Sequence, residues 1–143
     1  MANEESLSRT AVRFVADYEM KNDRQIIDVQ SNKNFKGFDL ISISKDSKDI
    51  KTIEIKGTTR DRGIPDAFET EFSRNKKLIA THLYVVYFEQ DNPKKLYIVP
   101  NSAIQPEHLK ETVHYKFSST FKTKILPKYE VPNKELKKFK LIQ

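Results

Sequence analysis

Apolar positions along the chain fall first into a helical rhythm and then into strand-like runs. Leu7, Ala11, Phe14, Val15 and Tyr18 recur at three- and four-residue steps, which predicts an amphipathic helix from about Glu5 to Met20. Arg9, Arg13 and Asp17 fall on its other faces, and Asn22-Asp23 interrupts the pattern. Three strands are expected next. Gln25 to Val29 contains Ile26-Ile27, and Phe38 to Ser44 reads FDLISIS, a mixture suited to a sheet with one face covered. Lys51 to Lys56 reads KTIEIK, a strict alternation with Ile53 and Ile55 on one face and Glu54 and Lys56 on the other. Ser47-Lys48-Asp49 forms a polar hairpin connection between the last two, and Gly57 to Asp66 is a loop set by Gly57, Gly63 and Pro65.

A second helix is predicted from about Ala67 to Ala80, with a short apolar stripe of Phe68, Phe72, Leu78 and Ile79. His82 to Glu89 (HLYVVYFE) is nearly continuous in apolar, β-rich residues and is expected as a central buried strand. Asp91-Asn92-Pro93 is a turn, and Leu96 to Val99 the returning strand. Beyond Pro100 the pattern weakens to a short helix at Ile104 to Thr112, a strand at Tyr115 to Phe121, and a terminal helix at Asn133 to Phe139 with Asn133 as N-cap and Glu135 in its first turn. The order α-β-β-β-α-β-β predicts an α/β protein, a mixed sheet with helices packed on it.

Composition narrows the possibilities. The 143 residues include no cysteine, which excludes a disulfide framework, a thiolate zinc site and cysteine nucleophilic chemistry. The length suits one domain, residues 1–143, with a core at about 5–100 and a basic extension at 101–143. The segment MANEESLSRT carries acids and no apolar run, so it is not expected to be a secretory signal. No stretch approaches the roughly 18 apolar residues of a membrane span, and a cytoplasmic setting is expected. Net charge is +6. Seven lysines and two glutamates lie between residues 122 and 140, which suits either a solvated segment or contact with nucleic acid.

The chemistry centres on the third strand. Glu54 and Lys56 share a face, and Asp39 lies fifteen residues before Glu54 on the neighbouring strand. A hairpin centred near Ser47 brings Asp39 and Glu54 level. Two adjacent carboxylates repel each other unless something binds them, and a hard divalent cation is the usual solution. Lys56 then stands beside the metal, where an ammonium can stabilise a pentavalent phosphate or orient the attacking water. The triplet acid-x-Lys alone carries no weight, since it recurs at Glu19–Lys21, Asp46–Lys48, Asp49–Lys51 and Glu135–Lys137. The alternative is a solvent-facing strand with an ordinary cross-strand charge pattern. All three glycines, Gly37, Gly57 and Gly63, cluster around these residues, which suggests close approach by something large, or simply three turns.

These residues resemble the PD-(D/E)xK nuclease superfamily: GFDLISIS with Asp39, then IEIKGTT with Glu54-x-Lys56. More narrowly they are similar to the domain of unknown function at the C-terminus of plant NO VEIN-like proteins. That family's pattern maps onto Glu19, Gly37-Phe38-Asp39, Glu54-Ile55-Lys56-Gly57, Thr70-Glu71 and Leu83-Tyr84-Val85-Val86, over roughly residues 5 to 100. The resemblance implies a restriction-endonuclease-like fold with an αβββαβ core and a Mg²⁺- or Mn²⁺-dependent endonuclease, as in a restriction or defence system. Asp39 and Glu54 would bind the metal with the Ile55 carbonyl, Lys56 would assist the water, and Glu19 would be an additional or supporting metal contact. Helicase or ATPase partners are common among such domains, and a homodimer is another expectation.

Arg60 and Arg62 follow the third strand in the glycine-containing loop, and Arg74, Lys76 and Lys77 fall on the second helix. Guanidinium groups suit phosphate oxygens, so these five are candidate nucleic-acid contacts, DNA first; solvated side chains are the competing reading. His82, His108 and His114 lack metal-ligand spacing, most of the fifteen Phe and Tyr fall in apolar runs, and no phosphate-cradling loop of the nucleotide-binding kinds is present. Rival functions are a non-catalytic nucleic-acid-binding module on the same fold and a protein-interaction domain.

Overall fold

A computed structural model describes residues 4–32, 37–64, 78–111 and 115–143. The chain opens with α1 (Glu4–Lys21), whose face of Ala11, Val12, Phe14, Val15 and Tyr18 is buried as the periodicity requires. The helix stops in a left-handed turn. Asp23 has φ +61°, Arg24 N–H returns to Glu19 O, and Asp23 N–H to Met20 O, so the last carbonyls are satisfied by the following backbone. That reversal brings Arg24 back beneath the helix end.

Strands β1 (Gln25–Asp28), β2 (Leu40–Ile43), β3 (Ile50–Thr58), β4 (His82–Glu89) and β5 (Asn92–Pro100) form one sheet in that order. The pairs are antiparallel except β3–β4, which is parallel. The β2–β3 hairpin pairs Ile43 with Ile50 and Leu40 with Ile53. Its turn contains Ser47 at φ +62° and is held by Ser44 and Asp46 side chains bonded to Asp49 and Lys48 N–H.

The sheet has a core on each face. On the α1 side, Leu40, Ile53, Ile55, Tyr84, Val86, Phe88 and Leu96 pack against the helix. On the other, Leu83, Val85, Tyr97 and Val99 meet Ile64, Phe117, Phe121 and Leu126. The chain after β5 covers both. Ile104, Phe117, Phe121, Ile125, Leu126 and Tyr129 lie over the second face; then Glu130 bridges to Tyr97, Val131 N–H donates to Leu96 O, and α2 (Asn133–Lys138) packs beside α1. Tyr18 Oη donates to Glu135 Oε1 at 3.1 Å, and its ring meets Phe139 edge-on. No helix among the described residues is long and apolar enough to cross a membrane.

Several expectations change. The turn before β5 is Gln90-Asp91, both at positive φ; Asn92 and Pro93 already belong to β5, which tolerates proline beside the register shift at Tyr87/Phe88. The helix expected at Ile104 to Thr112 is instead a single 3₁₀ turn, Pro106–His108, leading into β6 (Leu109–Glu111), because Pro106 removes a helical donor mid-segment. β6 pairs with β7 (Tyr115–Phe117), and the chain then coils into a π turn at Phe121–Ile125 instead of extending the strand to Phe121. Asn133 is the first helical residue; Pro132 is the N-cap, and Glu135 is in the first turn as expected. Most of the second predicted helix lies outside the described residues, and its last positions, 78–80, are not helical.

Candidate functional site

Asp39 sits one residue before β2, where that strand leaves β3. The hairpin ladder ends at the pair Leu40–Ile53, with Asp39 just before Leu40 and Glu54 just after Ile53. Here the ladder gives way to side-chain bonding. Asp39 N–H donates to Ile53 O at 2.7 Å, and Asp39 Oδ2 accepts from Ile55 N–H at 2.8 Å. A strand residue directs its N–H and C=O to the same side, so the Ile55 carbonyl also faces the Asp39 side. Alternation along β3 places Glu54 and Lys56 opposite Ile53 and Ile55, which belong to the α1 core.

Glu54 is 5% exposed, and Lys56 Nζ lies 3.2 Å from Glu54 Oε1. Taking a carboxylate out of water is costly without a compensating cation, and Lys56 supplies one from two positions along the same strand. The parallel neighbours of Glu54 and Lys56 on β4 are Leu83 and Val85, both fully buried, so the acid–base pair is flanked by an apolar wall. The donor set of Asp39, Glu54 and the Ile55 carbonyl is all oxygen, which fits Mg²⁺ or Mn²⁺. Among the described residues no three His, Cys, Asp or Glu side chains gather into a ready-made metal cage; Mg²⁺ characteristically uses one or two carboxylates and completes its shell with water and phosphate.

Glu19 is not brought to this place. It is 1% exposed on the α1 face, where Tyr84 Oη donates to its Oε1 at 2.9 Å. Arg24 Nε and Lys51 Nζ each stand 3.7 Å from the same oxygen. Lys51 also donates to Tyr84 Oη at 3.1 Å, and Arg24 is fixed by Ser42 Oγ at 2.6 Å and by Asp49 at 2.9 Å. Lys51 is three residues from Glu54 and therefore on the opposite face. Burial, and then the Glu19 charge, raise the Tyr84 phenol far above its ordinary range, so it remains a donor. Burial and the nearby Lys51 ammonium lower His82, which lies edge-on to Tyr84.

The turn after β3 carries Arg60 and Arg62, both exposed, on either side of Asp61. Asp61 turns inward to Tyr97 Oη and Lys95 Nζ. Sequence spacing gave no sign of that anchor or of the Arg24–Lys51–Tyr84 set around Glu19. Arg74, Lys76, Lys77 and His114 lie outside the described residues. His108 is buried, accepts from Gln105 N–H and packs on Phe121, a structural histidine.

The glycines have local reasons. A Cβ at Gly57 would meet Phe88 at 3.0 Å, with Ala11 of α1 next, so this glycine admits the helix on the face away from Glu54. Gly63 closes a tight turn in which a Cβ would lie 2.9 Å from Arg60, and Gly37 has φ +92°. No family profile, curated protein or solved structure matches the chain.

Proposed function

We propose that the chain is a Mg²⁺- or Mn²⁺-dependent nuclease of the PD-(D/E)xK type, on a restriction-endonuclease-like fold, hydrolysing phosphodiester bonds in nucleic acid. The observation that carries the reading is Asp39 Oδ2 accepting from Ile55 N–H at 2.8 Å, between Glu54 and Lys56 in sequence, with the Lys56 ammonium 3.2 Å from Glu54. The run α1-β1-β2-β3 followed by a crossover to parallel β4 supports it.

Asp39, Glu54 and the Ile55 carbonyl would hold the cation. When bound, such an ion lowers the pKa of attached water and offsets charge on a phosphate. Lys56, held beside Glu54, is placed to donate to a non-bridging phosphate oxygen or to orient the attacking water. Leu83 and Val85 keep the surroundings apolar, which strengthens each of these interactions. Glu19, occupied on the other face, has no part in this set.

The test is a cleavage assay on plasmid, linear DNA and RNA with Mn²⁺, run beside Lys56→Ala. Activity in the native protein and a loss of at least about 100-fold in the variant is the expected result; equal activity in both overturns the proposal. A non-catalytic nucleic-acid-binding module is the second reading, favoured by the +6 net charge. Salt-sensitive binding with no dependence on divalent metal selects it.

A further inference from the structure

The turn following β3 is built more firmly than exposed charged residues require. Arg60, Asp61 and Arg62 are consecutive, yet their side chains part. Asp61 Oδ1 accepts from Tyr97 Oη at 2.6 Å, and Asp61 Oδ2 meets Lys95 Nζ at 2.8 Å. Tyr97 is fully buried, so the anchor reaches the core. Lys95 stands 4.0 Å from Glu130, linking the same point to the segment that crosses the β5 edge. The backbone is closed as well: Thr58 Oγ1 accepts from Arg60 N–H and donates to Arg60 O, which also accepts from Gly63 N–H.

Both arginines are left outside this lock. They are exposed, and among the described residues neither guanidinium has a hydrogen-bond or ion-pair partner. The acid between them is bonded to Lys95 and Tyr97, and its charge acts also on Arg62. Arg62 holds φ +61°, a conformation that glycine enters freely and other residues only at a cost. Lys56 and Arg60 are four residues apart, the last two in the turn after β3, so their Cα atoms lie at most roughly 13 Å apart. A phosphate backbone crossing one reaches the other within about four steps of 3.4 Å.

We infer that Arg60 and Arg62 form a preorganised clamp for neighbouring phosphates of a nucleic-acid backbone, and that Asp61 and Tyr97 are the positioning residues that hold it. The inference rests on the proposed function for where the nucleic acid runs, but not for its cleavage. Preorganisation lowers the ordering cost of binding, so loosening the anchor weakens binding although neither anchor residue touches the ligand.

Fluorescence anisotropy with a short labelled DNA duplex, and an RNA duplex of the same sequence, tests this in EDTA over a salt series. Arg60→Ala/Arg62→Ala is expected to reduce the slope of log affinity against log salt by about 2. Arg62→Gly is expected to weaken binding about 3- to 10-fold while keeping or raising the melting temperature, since glycine suits that φ. Tyr97→Phe keeps the ring and removes only the bond to Asp61. It is expected to weaken binding about 2- to 5-fold and to shrink the further effect of the double substitution; Asp61→Asn gives the same readout if Tyr97→Phe fails to fold. An unchanged salt slope in the double variant overturns the clamp. Wild-type affinity in folded Tyr97→Phe and Asp61→Asn overturns the positioning role. A protein that binds through these arginines in EDTA but never cleaves keeps the clamp and loses the nuclease reading. One that cleaves with unchanged KM in the double variant does the reverse.

Discussion

Glu19 on the α1 face and Glu54 on the opposite face are both withdrawn from water, but the sheet surrounds them with different company. Glu19 on α1 is closed in by a phenol and two cations drawn from three other places: Tyr84 on β4, Lys51 on β3 and Arg24 after the helix. Glu54 has its cation two residues away on its own strand and a second acid, Asp39, bonded to the N–H of the next residue, Ile55. The first arrangement knots distant parts of the chain together, as a structural element does. The second gathers like charge next to an apolar wall, which costs stability and gains chemistry.

Matched substitutions test that contrast most severely. Glu19→Gln leaves Arg24 and Lys51 facing a neutral group, and an unfolding loss of about 3 kcal/mol is expected in urea titration. Glu54→Gln leaves Lys56, whose side chain is 22% exposed and can reach water, so a loss of about 1 kcal/mol or less is expected, together with loss of metal-dependent cleavage. Equal costs at the two sites would erase the distinction. Next in size is the response to metal. Mn²⁺ at a hundred times its dissociation constant should stabilise the native protein by about 2.7 kcal/mol, seen as a higher melting temperature. The shift should persist in Glu19→Gln, provided that variant folds, and vanish in Asp39→Asn; persistence in Asp39→Asn would remove Asp39 from the site.

Tyr84→Phe sharpens the comparison from the structural side. It removes the donor to Glu19 and should cost about 1–2 kcal/mol with cleavage unchanged. The smallest effect is on pH dependence. Burial, and then Lys51, hold His82 below its ordinary value of 6.5, with Glu19 and Asp49 opposing in part and Arg24 adding to the depression. The unfolded chain therefore binds the proton more readily. Stability is complete above pH 6.5 and declines as pH falls below it. His82→Gln should flatten that decline in a pH series of melting temperatures.

Much of this contrast was legible from local pattern. Alternation in KTIEIK and the polar Ser47 turn fix which residues of β2 and β3 face each other, and the observed register runs from Ile43–Ile50 to Leu40–Ile53, the pair beside Asp39 and Glu54. His82–Glu89 was visible as a strand because a run of aromatic and branched residues has few other homes. Glu19 was not legible. A helical wheel places it at the border of the buried face, but its partners come from β3, β4 and a reversal at Asp23 that no periodicity reveals. Gly57 misled for a related reason: beside Lys56 in sequence, it belongs by alternation to the helix side, where Phe88 and Ala11 need the space. After Pro100, short apolar stretches broken by Pro106, Pro127 and Pro132 carry too little rhythm to name their elements.

The crossing at Glu130 and Val131 has a consequence for how the protein comes into being. All five strands of the sheet are complete by Pro100, while the residues that occupy the outer rim of β5 arrive thirty positions later. A nascent chain thus completes its sheet with one rim still offering backbone donors and acceptors to any passing strand. Maturation ends when the late segment fastens that seam. A chain halted before Glu130 is a template for self-association, even though every strand is already in it.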